Sequence, residues 1–369
     1  MDTLTLLQHY WWLLISLLGA SLVFLLFVQG GQGLIYRIGR SEAERERLVA
    51  ALGHKWELTF TMLVTFGGAF FASFPLFYTV SLGGAFYVWM AILFLFVIQA
   101  VAYEYRLKPA NLLGTRVFDL FLQLNGLLGP QLLGTAVSTL FTGAPFTVDR
   151  LNLARVGGGG EVVIAQWTTP WYGLDALAST RNVALGLAVA LLARMLGCQY
   201  FLNTVDDGTL VERARRRMLP AAVGFLLLFL YWFVRLLAAE GWTAGAGGVI
   251  VPEAYKYLHN LVEMPAVALL LLAGVASLLV SMWRGWRGRR DALWFGGAGT
   301  VLAVMALLLL AGWNDTAYYP STAELQSSLT IRNSSSGEFT LRVMSWVSLL
   351  IPFVALYIRC VWLALRRQR

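Results

Sequence analysis

Apolar residues run in long blocks along this chain, and charged residues sit almost entirely in the short gaps between them. Nine blocks can be read, near residues 9–35, 56–80, 84–104, 115–141, 178–204, 219–240, 257–283, 292–312 and 342–365. At about 1.5 Å of rise per residue, each is long enough to cross roughly 30 Å of hydrocarbon as a helix. The pattern predicts an all-α polytopic membrane protein of nine transmembrane helices. Residues 1–369 are expected to form one integral membrane domain, because no gap is long enough to insert a soluble one. The longest gaps, 142–177 and 313–341, read as irregular surface connections; the first carries Gly157–Gly160 and Trp167-Thr-Thr-Pro-Trp171.

Charge gives these blocks a direction. The gaps at 36–55, 105–114, 205–218, 284–291 and 366–369 hold most of the 28 Lys and Arg. The alternate gaps at 1–8, 81–83, 142–177, 241–256 and 313–341 hold only Arg150, Arg155, Lys256 and Arg332. By the positive-inside rule, the N-terminus lies outside the cytoplasm, and the C-terminal Arg366, Arg367 and Arg369 lie inside it. With 58% hydrophobic and 13% charged residues, lipid must be the main solvent. Spread over five gaps, the positive charge builds no basic domain, so no nucleic acid partner is expected. Asp2 and the lack of Lys or Arg before Arg37 argue against a signal peptide and for a retained first helix. No Lys-Ser or Lys-Thr follows Gly157–Gly160, which excludes a phosphate cradle of the usual kind. Asn333-Ser-Ser335 matches a glycosylation sequon only formally.

Few residues are equipped for chemistry. Cys198 and Cys360 have neither disulfide nor metal spacing, and none of His9, His54 and His259 is expected deep in the bilayer. A bundle holding several haems needs more imidazoles than this. Ionisable groups in spans are costly, which makes Glu57, Glu104 and Asp119 candidates, with Lys108 four residues after Glu104. Because consecutive helices usually neighbour one another, the three acids could surround one inward-facing proton inlet; the alternative is that they are interfacial charges snorkelling toward headgroups. Arg106 and Arg116 are available to pair with them in either case. A second group, Arg235, Glu240, His259 and Glu263, reads as external ion pairing with a neighbouring helix. In Gln29-Gly-Gly-Gln-Gly33 the glycines permit close helix approach and the amides can hydrogen-bond across an interface. Aromatics near span ends, such as Trp11-Trp12 and Tyr318-Tyr319, read mostly as interfacial anchors.

Particular strings carry a resemblance. Trp11-Trp12-Leu13-Leu14, Gly67-Gly68-Ala69, Phe74-Pro75, Tyr78, Phe86-Tyr87, Glu104-Tyr105-Arg106 and Gly143-Ala-Pro-Phe146 occur in this order. Later come Tyr319-Pro320, Ser328-Leu-Thr-Ile331, Asn333-Ser-Ser335, Thr340-Leu341 and Met344. With these strings the chain resembles subunit II of the cytochrome bd quinol oxidases from the first block to the ninth. The resemblance implies nine helices arranged as two four-helix bundles plus a peripheral helix. It also implies a bacterial cytoplasmic membrane protein that assists a haem-bearing subunit I holding two b haems and haem d. Quinol, membrane lipids and a small accessory subunit are the other partners it implies. In the implied reaction quinol reduces oxygen to water, electrogenically and without pumping, and this chain has no complete active site of its own.

By the same resemblance, Glu57, Glu104, Lys108 and Asp119 match positions linked to proton uptake, and Trp56 is either a contact for a structural quinone or a packing residue. Gln29, Gln32 and Gln99 depart from the family, which often has acids at the first two positions and an arginine near the third. A proton-coupled secondary transporter and a purely structural membrane subunit are the rival readings. The transporter predicts broken helices with polar groups near mid-membrane.

Overall fold

The computed structural model describes residues 2–109, 111–149 and 164–351, together with 353, 356, 357, 359 and 360. Arg150, Arg155, Gly157–Gly160 and the three C-terminal arginines lie outside the described residues. The chain is predominantly helical. In order its helices are α1 (Thr3–Leu25), α2 (Phe27–Gln32), α3 (Ile35–Ile38), α4 (Glu42–Gly53), α5 (Trp56–Ser73), α6 (Pro75–Phe77), α7 (Phe86–Tyr105) and α8 (Thr115–Thr142). They continue as α9 (Thr180–Thr204), α10 (Gly208–Leu237), α11 (Lys256–Glu263), α12 (Pro265–Trp286), α13 (Ala292–Gly312), α14 (Ile331–Ser334) and α15 (Glu338–Ser348).

Among the described residues, six helices are long and apolar enough to cross a membrane, or seven if a helix pair bent by 117° counts as one span. This differs from the expected nine for physical reasons. The block at 56–80 breaks at Phe74 and the block at 257–283 at Met264, and each of these residues precedes a proline. Proline disfavours the helical region for its predecessor, and both residues lie outside it, at φ −132°, ψ 67° and φ −114°, ψ 72°. The second of these spans is accordingly shifted to α12. α8 is 28 residues long but its apolar run is interrupted by Gln123, Asn125, Pro130 and Gln131, and much of the ninth block lies outside the described residues.

Packing follows the small residues. α2 lies against α9 and α8, where an added Cβ on Gly30 would fall 1.8 Å from the Ala193 carbonyl oxygen and one on Gly126 would fall 2.4 Å from the Gly33 nitrogen. The expected role of the Gln29–Gly33 run in close approach is thus realised. α12 pairs with α13, α9 with α10 and α8, and α1 with α13 and α5. Trp12, buried between α1 and α13, donates from Nε1 to the Leu308 carbonyl at 3.0 Å.

The two ends of the molecule differ. At one end three antiparallel two-stranded ribbons pair β1 (Phe146–Val148) with β2 (Ala165–Trp167), β3 (Gly241–Ala244) with β4 (Ile250–Glu253), and β5 (Ala317–Tyr319) with β6 (Leu329–Thr330). The string Leu329–Ser335 is explained here: Thr330 and Asn333 form a reciprocal cap on α14, and the Tyr318 hydroxyl meets Ser334 Oγ at 2.7 Å. At the other end the Arg-rich gaps meet through Arg47–Asp207 at 2.9 Å, Arg213–Glu44 at 2.8 Å and Arg290–Asp206 at 2.8 Å. Alternate gaps therefore share an end, as the charge pattern predicts.

Candidate functional site

Polar residues interrupt otherwise apolar helix faces at Gln29 and Gln32 in the first block, with Tyr36 just past its end, and at Gln99, Tyr103 and Arg106 around α7. Steps of three and four residues keep each set on one side of its helix. α8 faces both with Asp119 and Asn125, and the sets meet as a polar column that starts at the Arg-rich end.

The outermost tier is charged. Arg106 Nε donates to Asp119 Oδ1 at 2.7 Å, and both side chains are only 3% exposed. Tyr36 donates its hydroxyl to Asp119 Oδ2 at 3.1 Å. Burial, and then the Asp119 carboxylate, push the Tyr36 phenol above its ordinary range, which keeps it a proton donor. The loop after α7 fixes this geometry. Asn111 donates to the Arg106 carbonyl at 2.9 Å and accepts from the Leu113 and Gly114 amides at 3.0 and 2.9 Å. Gly114, at φ 75°, turns the chain into α8 in a conformation that a side chain would strain.

The next tier inward is neutral. Gln32 Nε2 donates to the Tyr103 hydroxyl at 3.1 Å, and the Tyr103 ring stacks on Trp56 with centroids 5.7 Å apart and planes 9° apart. Beyond it four fully buried amides converge. Gln29, Gln32 and Asn125 all donate to Gln99 Oε1, at 2.6, 2.7 and 2.5 Å, and Asn125 also reaches Gln32 Oε1 at 3.2 Å.

The residues expected around one inlet divide. Asp119 is buried and paired. Glu104 and Lys108 form an i,i+4 pair at 3.0 Å with side chains 61% and 54% exposed, and Glu57 is exposed in the first turn of α5. Among the described residues, no hydrogen bond or ion pair joins these three to Asp119, so the four do not make one cluster: the loop between α7 and α8 folds Arg106, rather than Glu104, toward α8. One face of Trp56 is already covered by Tyr103, which favours the packing role. The second expected group also differs, since His259 and Lys256 both pair with Glu253, at 2.9 and 3.1 Å, while Arg235 and Glu240 are exposed. Tyr36, Tyr103, Asn125 and the convergence on Gln99 were not foreseen; the three-and-four spacing of polar residues in apolar blocks was the available signal.

His9 bonds the Thr5 carbonyl, His54 is exposed where α4 ends, and His259 binds Glu253.

Comparison with known proteins gives the same picture over the whole chain. The family described as cytochrome bd terminal oxidase subunit II matches residues 7–365. The Bacillus subtilis protein named cytochrome bd ubiquinol oxidase subunit 2 is 26% identical over 94% of this chain and 92% of its own length. The Escherichia coli K12 protein named cytochrome bd-I ubiquinol oxidase subunit 2 is 24% identical over 96% and 93%. In structure, the chain is similar to a chain of the bd oxidase from Geobacillus thermodenitrificans, with a TM-score of 0.61, 13% identity and coverage of 100% and 99%. The fold is that of a multi-pass membrane protein, and the family is one of subunits in a larger complex with a partner subunit. A family match spanning nearly every residue, on top of the charge alternation and the helical fold, places this chain in the cytochrome bd terminal oxidase subunit II family.

Proposed function

We propose that this chain is the haem-free second subunit of a quinol:oxygen oxidoreductase in the bacterial cytoplasmic membrane, with its N-terminus outside and its Arg-rich end in the cytoplasm. In this reading it completes nine spans as one membrane domain, stabilises the partner that carries the two b haems and haem d, and admits cytoplasmic protons for water formation. The observation that carries the proton role is the buried Asp119–Arg106 pair with the exposed Tyr36 at its mouth, set at the Arg-rich end and continued inward by the polar column. A buried carboxylate that accepts hydrogen bonds from an arginine and a phenol stands where a proton path from the Arg-rich end enters the bundle. Glu57, Glu104 and Lys108 are exposed on the same side of the sequence pattern and collect protons from water. Carrying one charge through 100 mV takes about 2.3 kcal/mol, which oxygen reduction supplies.

The test uses the complete complex in liposomes. Asp119→Asn, Glu104→Gln and Glu57→Gln are each expected to lower quinol-driven oxygen uptake and charge separation per haem. Unchanged values in all three discard the proton role. The exposure of Glu57, Glu104 and Lys108 also suits a second reading, in which they dock the partner subunit. In that case their replacement lowers haem content per complex and leaves turnover per haem untouched.

A further inference from the structure

The amide cluster is not complete as a protein-only network. Gln29, Gln32, Gln99 and Asn125 are fully buried, yet Gln29 Oε1, Asn125 Oδ1 and Gln99 Nε2 have no partner. Two unmet acceptors and one unmet donor are the complement of a single water molecule, which donates two hydrogen bonds and accepts one. The match survives a concerted reversal of the amides. Turning all four end for end, Gln32 included because it meets both Gln99 and Asn125, leaves two donors and one acceptor, which again suit one water. There is also room beside the cluster. Asn125 Oδ1 faces Gly129, where an added Cβ would lie 2.7 Å from it, so the absent side chain leaves space at the unmet acceptor.

Position gives this site a role. Gln32 lies four residues inward of Tyr36, and Tyr103 and Gln99 lie one and two turns inward of Arg106. Asn125 is six residues past Asp119 on α8, or roughly 9 Å along the axis. The tiers form one column, charged at its outer end and wholly uncharged inside. Amides do not titrate, so a proton crosses the inner tier only on water.

We propose that Gln29, Gln32, Gln99 and Asn125 hold one ordered water and that this charge-free hydrated cluster carries protons inward from the Asp119 tier. The incoming proton binds the water's free lone pair; the hydronium then turns, breaking one of its hydrogen bonds to Gln29 Oε1 or Asn125 Oδ1, gives that proton to the next water inward, and turns back as neutral water. The amide oxygens of Gln29 and Asn125 hold the transient hydronium, and no electron moves. This role rests on the proton-uptake reading of Asp119, whereas the water site itself does not.

The experiment takes the assembled complex in wild-type, Gln99→Met, Gln99→Glu and Gly129→Ala forms, with haem content as the assembly check. Infrared difference spectra in water and in ¹⁸O-water report a buried O–H stretch, and liposomes report turnover and charge separation. The wild type is expected to show an ¹⁸O-sensitive band that Gln99→Met and Gly129→Ala lose, with turnover lowered on the order of tenfold. Gln99→Glu, which keeps an acceptor for the three amide donors, is expected to restore turnover. Absence of the band in the wild type overturns the proposal, as does a fully assembled Gln99→Met complex that turns over normally. If Asp119→Asn slows turnover while Gln99→Met does not, the relay falls and uptake at Asp119 stands. If Gln99→Met slows turnover while Asp119→Asn does not, uptake at Asp119 falls and the water relay stands.

Discussion

Asp119 and Arg106 show how a residue's meaning changes with burial. In water such a pair contributes little, but at 3% exposure each charge depends on the other, because neither can be solvated alone. Arg106→Met leaves the carboxylate stranded and is expected to destabilise the subunit by about 3–5 kcal/mol, read as a lower thermal midpoint of the purified complex. Pairing that change with Asp119→Leu removes both charges and should recover most of the loss. A double variant as unstable as the single one counts against electrostatic stranding as the cause. Glu104 and Lys108 give the contrasting case. Their exposed pair is expected to shift the midpoint by less than about 1 kcal/mol when Lys108 becomes Met.

At the scale of elements, glycine and proline decide where helices meet and where they break. Gly30 allows the α2 backbone to touch that of α9, so Gly30→Ala forces the two helices apart. Overpacking of this kind costs about 1–3 kcal/mol or more, and the amide cluster, which α2 supplies with Gln29 and Gln32, should be disturbed with it. Reduced yield of assembled complex, with rescue by Ala193→Gly absent because the clash is with a backbone oxygen, is the expected result. The α12–α13 turn has a different lock. Arg284, at the end of α12, hydrogen-bonds Asp291, before α13, and holds its carboxyl below the usual range. A depressed folded pKa means the contribution is present above about 3.8, the unfolded value, and is lost as pH falls through the folded one. The wild type should therefore lose thermal stability on acidification more steeply than Asp291→Asn; parallel profiles would remove this lock from the account.

For the whole molecule, the strongest prediction concerns sidedness. Single cysteines at Ser41 and Arg289, in the Arg-rich gaps, should react with a membrane-impermeant maleimide only from the cytoplasmic side, and cysteines at Gly245 and Ala323 only from outside. Labelling of both sets from one side would overturn the orientation, and with it the direction of proton uptake.

Much of this architecture was legible in the chain because hydrocarbon thickness and the cost of translocating positive charge act on local sequence. Block length, gap charge and the small-residue run at Gln29–Gly33 could be read without knowing any neighbour. Breaks before Pro75 and Pro265 were legible in principle, since the rule involves adjacent residues only, but the even hydrophobicity of both blocks concealed them. Asp119 was found as a candidate from its cost in a membrane span, and its partner was not. Which arginine reaches it depends on how Asn111 and Gly114 turn the chain between two helices. The convergence of Gln29, Gln32 and Asn125 on Gln99 required three helices to be packed against one another, and hydrogen bonds between residues 26 to 93 positions apart leave no local trace. What could be read from local sequence was the apolar solvent, most of the helices and the alternation of charge between their gaps. Only the tertiary structure decided which polar groups are buried together, because burial depends on every neighbour and not on the residue alone.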